Sequence, residues 1–178
     1  MGLIRKITQE TRYKFLNFFT MDVTHKSGRE SKYYVASRAR EVDQMKAVTH
    51  ENTADGVIIY SVYGENRDQV VLIRQYRYPI DGYIYEFPAG LVEQGEDFKE
   101  AGVRELKEET GLTLEPIDVE DMYSKPYFTT IGMTDESCGT VYGYAKGIPN
   151  MDGQEDSEKI EIVLTDKKEV KKKKKEEN

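Results

Sequence analysis

Three glutamates, Glu105, Glu108 and Glu109, stand within the run RELKEET. On a helix that advances about 100° per residue, they fall within a sector of about 100° on one face. Like charges at this spacing repel, an i,i+4 pair costing roughly 0.2–0.5 kcal/mol. The run is therefore either a solvated acidic face or a seat for cations. Carboxylate oxygens suit hard cations, above all Mg²⁺, which keeps several waters and takes one or two carboxylates together with substrate phosphates. Arg104, next in line, carries a rigid guanidinium that can brace a neighbouring carboxylate through a bidentate pair. Asp97 with Glu100 three residues on is a capping-box start, and Gly111 is a left-handed stop. The spacing predicts a helix over residues 97–110, roughly three to four turns long. Val103 and Leu106 lie beside the carboxylate sector and are expected to dock on a sheet. Ala101 and Gly102, one turn earlier on the carboxylate face, are expected to leave room there for an ion with its waters or for a ligand. In the preceding FPAG, Pro88 and Gly90 let the main chain turn close to the site and offer a backbone carbonyl.

The elements that must position this helix are strands. GVIIYSVYG, the turn-rich ENRDQ and VVLIRQYRYPI read as two long antiparallel strands, and YIYEFPAG as a third that leads into the acidic stretch. Beyond Leu112, strands are expected near residues 117–124, 140–144 and 160–164, broken by Pro116, Pro126 and the loop TTIGMTDES. Upstream, residues 11–38 carry hairpin patterning around the turn KSGRE. Such a hairpin is marginal alone, so its aromatics need a partner surface, either a second copy or the rest of the chain. The polar stretch 41–55 reads as a connector. We expect an N-terminal β-unit over residues 1–41 that forms a dimer, a main domain over 42–166, and a charged, disordered tail over 167–178. With Val170 its only apolar residue, the tail cannot bury a helical face of ordinary width.

Composition narrows the possibilities. The 178 residues suit one compact domain with at most a small appendage, and 38% hydrophobic residues describe a globular chain. A formal charge of −7 argues against nucleic acid as partner, since phosphate recognition needs clustered Lys and Arg. Cys138, His25 and His50 are too few for a disulfide framework or a Cys-based zinc cluster, which leaves hard-cation chemistry on carboxylates. No apolar run is long enough to span a bilayer. The N-terminus MGLIRKITQE lacks an apolar core of signal-peptide length, and Lys6 takes the place of a myristoylation Ser or Thr. A cytoplasmic protein with no membrane partner is expected.

Gly90, Glu96, Arg104, Glu105, Leu106, Glu108, Glu109, Gly111 and Leu112 together match the Nudix box throughout, and on them the chain resembles the Nudix hydrolases. The resemblance implies an α+β fold: an α/β/α sandwich with a mixed sheet, here preceded by the small antiparallel β-unit. It also implies hydrolysis of a nucleoside diphosphate linked to another moiety, with Mg²⁺ or Mn²⁺ as cofactor. Glu105 and Glu109 would then be the principal metal ligands, Glu108 a third and the Ala89 carbonyl a fourth, with Arg104 as part of the catalytic set.

RQYRYP and YEFPAG before the box, and Pro126 and GMTDE after it, are similar to ADP-ribose pyrophosphatases over residues 13–164. That likeness implies a homodimer built through the N-terminal β-unit and the conversion of ADP-ribose and water to AMP and ribose 5-phosphate. It also implies that Arg77 and Glu86 grip the phosphates and the nucleoside side of a nucleoside diphosphate sugar. Glu136, with Asp135 beside it, would orient or deprotonate water, and Tyr33 or Tyr34 would stack on adenine. A GDP-sugar, NADH or a dinucleoside polyphosphate as substrate stays open, as does a nucleotide-binding sensor with a silent site. The chain departs from the family where a second long helix usually follows the last strand, a place held here by DKKEVKKKKKEEN.

Overall fold

Alternating side chains near the N-terminus build a three-stranded antiparallel sheet in the order β1-β2-β3, with β1 at Leu3–Gln9, β2 at Asn17–Thr24 and β3 at Glu30–Ser37. The computed structural model describes residues 3–154 and 159–176, divided into two units: Met1–Asp55 with Pro126–Cys138, and Gly56–Lys125 with Gly139–Asn178. In the first unit, β2 and β3 pair from Asn17↔Ser37 to Thr24↔Glu30, so the hairpin turn falls at residues 25–29, close to the KSGRE expected from sequence. β1 carries no strong pattern of its own, and its residues are exposed or half-buried, as an edge strand allows.

Phe19, Met21 and Val35 point to one face and bury there with Met45. Met45 lies between a 3-10 turn at Val42–Gln44 and the short helix α1 at Lys46–Thr49. The boundary expected after residue 41 therefore falls inside this unit, because a fully buried methionine ties the following segment to the sheet. Residues 126–138 join it too. β9 (Tyr127–Phe128) pairs with Cys138 and Ser137, and Ala36 N–H donates to the Met133 carbonyl at 3.0 Å.

The second unit is a sheet in the order β11-β5-β4-β10-β8, comprising β4 (Gly56–Tyr63), β5 (Gln69–Arg77), β8 (Thr113–Pro116), β10 (Ser137–Lys146) and β11 (Ile160–Asp166). Two short strands add to it: β6 (Gly82–Glu86) on β5, and β7 (Ala89–Leu91) on β4. β4 and β5 are the antiparallel pair expected, whereas YIYEFPAG splits into β6 and β7 around Phe87-Pro88. β4 and β10 run in the same direction, since Asp55 meets Ser137 at their starts and Tyr63 meets Gly147 at their ends, so the sheet is mixed. The strand expected near 117–124 forms earlier, at β8, because Pro116 and the turns after it stop the ladder.

Val57, Ile59 and Val71 face one side of this sheet and close a core with Ala101, Leu106 and Leu112 of the helix segment and with Leu114, Val141 and Ala145. The helix α2 spans Phe98–Thr110. On the other side, α3 (Lys167–Glu176) sets the Lys173 ammonium 4.5 Å from the centre of the Tyr85 ring. The tail expected to be disordered is thus helical as far as residue 176. Asp166 Oδ1 accepts the N–H groups of Lys168 at 2.7 Å and Glu169 at 2.9 Å, which caps the first turn and holds the Asp166 carboxyl below its usual range. Lysine is a good helix former, and a cation over an aromatic ring replaces the apolar face the segment lacks. A ten-residue helix thus follows the last strand, where the resemblance implied a longer one. Among the described residues, no helix is long and apolar enough to cross a membrane.

Candidate active site

α2 starts where its sequence signals place it. Asp97 is extended (φ −76°, ψ 138°) and its side chain accepts the Lys99 N–H, while Gly111 takes the left-handed conformation (φ 70°) and donates its N–H to the Lys107 carbonyl. Leu106 is fully buried, with Val103 packed beside it. This fixes the rotation of the helix about its axis, and with it the depth of each carboxylate.

Glu109 is 2% exposed, whereas the side chains of Glu105 and Glu108 are 14% and 48% exposed. The acidic sector thus runs from the core edge to the rim. Ala101 and Gly102 do not face an ion. They are buried against the sheet, and a Cβ on Gly102 would come within 2.9 Å of Val141 Cγ2 and 3.3 Å of Val57 Cγ2. Their smallness brings the helix close to β4 and β10, which carries Glu109 inward with them.

Arg104 gathers the site. Its Nε and Nη2 donate to the two oxygens of Glu96, both at 3.0 Å, and its Nη1 donates to Glu105 at 2.9 Å and to Glu108 at 3.0 Å. Nη2 also donates to the Leu91 carbonyl at 3.0 Å, tying the helix to the end of β7. The Arg104 bonds, followed by the Glu93 N–H, hold the Glu96 carboxyl below its ordinary range. Glu96 in turn is the main cause that pushes the guanidinium's own pKa up.

Gly90 sits in β7 opposite Val57, and a Cβ there would lie 1.9 Å from the Glu105 carboxyl carbon. The absent side chain makes the cradle in which that carboxylate rests. Ala89, whose carbonyl was expected to face the site, is the preceding residue, paired with Ile58.

The donor set fits a hard divalent cation: every candidate donor is oxygen, and Glu105 lies in a pocket that only glycine leaves open. Among the described residues, no three acidic, imidazole or thiol groups stand close enough to hold an ion as they are. Arg104 Nη1 holds Glu105 and Glu108 together, at 2.9 and 3.0 Å. Ligation would swing those two carboxylates off the guanidinium.

Arg77 ends β5 and Glu86 ends β6, and the two form a bidentate pair with both bonds at 2.9 Å. Glu136 belongs to the first unit, where Arg38 Nε and Nη2 reach its Oε1 at 2.8 and 2.7 Å. Asp135 accepts the Lys46 N–H at 3.3 Å. Tyr33 donates its hydroxyl to the Gly132 carbonyl at 2.7 Å, and Tyr34 is exposed. Sequence reading did not single out Arg38. The only local signal there is SRAR, two arginines beside the hairpin, and nothing in it names a partner 98 residues away.

Comparison with known proteins points the same way. The NUDIX domain model matches residues 52–178. A putative Nudix hydrolase 2 of Caenorhabditis elegans is 37% identical over 122 residues, covering 65% of this chain and 53% of that protein. An ADP-ribose pyrophosphatase of Saccharomyces cerevisiae is 35% identical over 101 residues, covering 54% and 44%. The chain thus spans about half the length of the curated relatives it matches. A crystal structure described as an ADP compounds hydrolase superposes with a TM-score of 0.65 at 19% identity, covering 93% of this chain and 78% of that one, a likeness of fold.

Proposed function

Because the chain belongs to the Nudix family, we propose that it hydrolyses the diphosphate of a nucleoside diphosphate sugar, with ADP-ribose as substrate and AMP and ribose 5-phosphate as products. The observation that carries this reading is the graded carboxylate sector of α2, cradled by Gly90 and gathered by Arg104. The name of the yeast relative supports the choice of sugar. Glu105, Glu108 and Glu109, with the Ala89 carbonyl, would hold Mg²⁺ or Mn²⁺. Such an ion, when bound, supplies charge neutralisation on the diphosphate and lowers the pKa of water.

The chain's own groups do the rest. Arg104 orients Glu105 and Glu108 through directed bonds. Arg77 meets a substrate phosphate by releasing Glu86, which then turns to the nucleoside side. On the resemblance alone, Glu136 would be the base for the attacking water, whose oxygen bonds to phosphorus as the bridging phosphorus–oxygen bond breaks. The exposed Phe15, Phe18 and Tyr34 of the first unit support its use as a homodimer surface. One cysteine, Cys138, suits a chain that needs no internal disulfide, and we place the reaction in the cytoplasm.

Incubation with Mg²⁺ and a panel of ADP-ribose, NADH, a GDP-sugar and a diadenosine polyphosphate tests the proposal through release of AMP or GMP. ADP-ribose should be turned over fastest. A different leading substrate would revise the sugar, and no turnover at all would favour a silent nucleotide-binding protein. Sedimentation of the chain with residues 1–41 removed should give a monomer or an insoluble product; a well-behaved dimer would exclude the N-terminal unit as the dimer surface.

A further inference from the structure

The last turn of a helix leaves four carbonyls without partners inside the helix, and their satisfaction decides how rigidly that turn is held. In α2 this turn carries Glu108 and Glu109. Gly111 N–H takes the Lys107 carbonyl at 2.9 Å. Two of the remaining three accept hydrogen bonds from one strap, residues 150–154, and the third, at Glu108, lies against it. Asn150 N–H donates to the Thr110 carbonyl at 2.9 Å, and Gln154 Nε2 donates to the Glu109 carbonyl at 2.9 Å. Gly153 lies so close to the Glu108 carbonyl that a Cβ there would sit 2.8 Å from the oxygen. The strap has its own bracing, since Asp152 N–H donates to Asn150 Oδ1 at 3.2 Å and Gln154 N–H to the Met151 carbonyl at 3.3 Å.

Of these contacts only the one at Glu109 is made by a side chain. Glu109 is also the carboxylate with the least freedom: at 2% exposure its side chain is enclosed, and the direction of the carboxylate follows the main chain that carries it. Turning the Glu109 peptide would turn its carboxylate. We propose that Gln154 is a positioning residue for a divalent cation, holding the main chain of Glu109 so that its carboxylate stands where Glu105 and Glu108 can share the ion. This rests on the reading of those three glutamates as ligands. Groups that orient metal ligands from behind typically change metal affinity by about 10–100-fold when lost.

The test is direct binding of Mn²⁺ alone to the full chain, measured by calorimetry or by the electron paramagnetic resonance of free Mn²⁺, with thermal melting of the metal-free protein alongside. Gln154→Met keeps the length and removes the donor. Gln154→Lys keeps a donor and adds a cation where a helix C-terminus favours one. Gln154→Met should bind Mn²⁺ about ten-fold more weakly with an unchanged metal-free melt, and Gln154→Lys should stay within about two-fold of the unaltered chain. Unchanged affinity in Gln154→Met, equal loss in both variants, or a collapsed metal-free melt in Gln154→Met would each overturn the proposal. Absence of Mn²⁺ binding by the unaltered chain would locate the failure in the ligand reading instead.

Discussion

Gly90→Ala tests whether the cradle, rather than the helix alone, builds the site. The new Cβ would lie 1.9 Å from the Glu105 carboxyl carbon and 2.1 and 2.3 Å from its oxygens. Carbon atoms settle at about 3.5 Å or more, so the carboxyl group must retreat by about 1.6 Å. Gly90 is fixed by the β4–β7 ladder, paired with Val57, and the terminal group of Glu105 is the part free to move. Its retreat breaks the 2.9 Å bond to Arg104 but leaves the guanidinium its bonds to Glu96, Glu108 and Leu91.

A charge-assisted hydrogen bond partly open to solvent contributes about 1 kcal/mol, which in a chain of this size lowers Tm by about 2–4 °C. Catalysis should suffer far more, because a misplacement of about 1 Å at a reacting centre costs about 100-fold. The assay follows AMP release from ADP-ribose across a series of Mg²⁺ concentrations, with a thermal melt of the same preparation. Activity within about three-fold of the parent would refute the cradle. A Tm drop well beyond that range would show that the strand, not the carboxylate, had given way.

Gly102→Ala should do the reverse, losing about 1–3 kcal/mol of stability by overpacking against Val141 and Val57, with a Mg²⁺ dependence close to the parent's; denaturant melts and a metal titration separate the two effects. Glu109→Gln should lose activity by several orders of magnitude while the fold survives in a thermal melt, because a neutral amide is a poor ligand for a hard cation; an active variant would contradict this. Arg104→Met removes the group that holds Glu96 below its ordinary range. A carboxyl whose pKa falls on folding adds stability above the unfolded value, about 4.3, and loses it as pH drops through the folded one. The Tm gap between parent and Arg104→Met should therefore be widest near neutrality and shrink below about pH 4, and a gap independent of pH would count against the pairing.

What the sequence made legible was local. Asp97, Gly111 and the three glutamates lie within 15 residues, so helix limits, charge spacing and the family motif could be read from one window. The rotation of that helix could not. Ala101 and Gly102 sit in a run dominated by charge, where spacing assigned them to the carboxylate face, and only the packing of Gly102 against Val141 shows that they belong to the core. The strand at residues 113–116 was displaced in the sequence reading because Pro116 looked like a breaker before a strand rather than the end of one. Long-range closure was invisible for the same physical reason: Arg38 and Glu136 are joined by an ion pair across 98 residues, and Met45 by burial alone. The lysine tail misled through its lack of apolar residues, because a cap at Asp166 and a ring at Tyr85 provide what an apolar face would have.

Three carboxylates on one helix face should repel, and the fold answers by placing them in different surroundings. Glu108 stands nearly half in water, which screens it; Glu105 shares a guanidinium with Glu108 and Glu96; Glu109 is enclosed at the core edge, with its main chain held from the strap. The repulsion is thus distributed unequally, and so is freedom of movement. In the proposed cation site the outer two would exchange their charge-assisted bonds to Arg104 for bonds to the ion, while the enclosed inner one would serve as the fixed point. The proposed cation site therefore depends on Gly90, Arg104 and Gln154 as well as on the three glutamates.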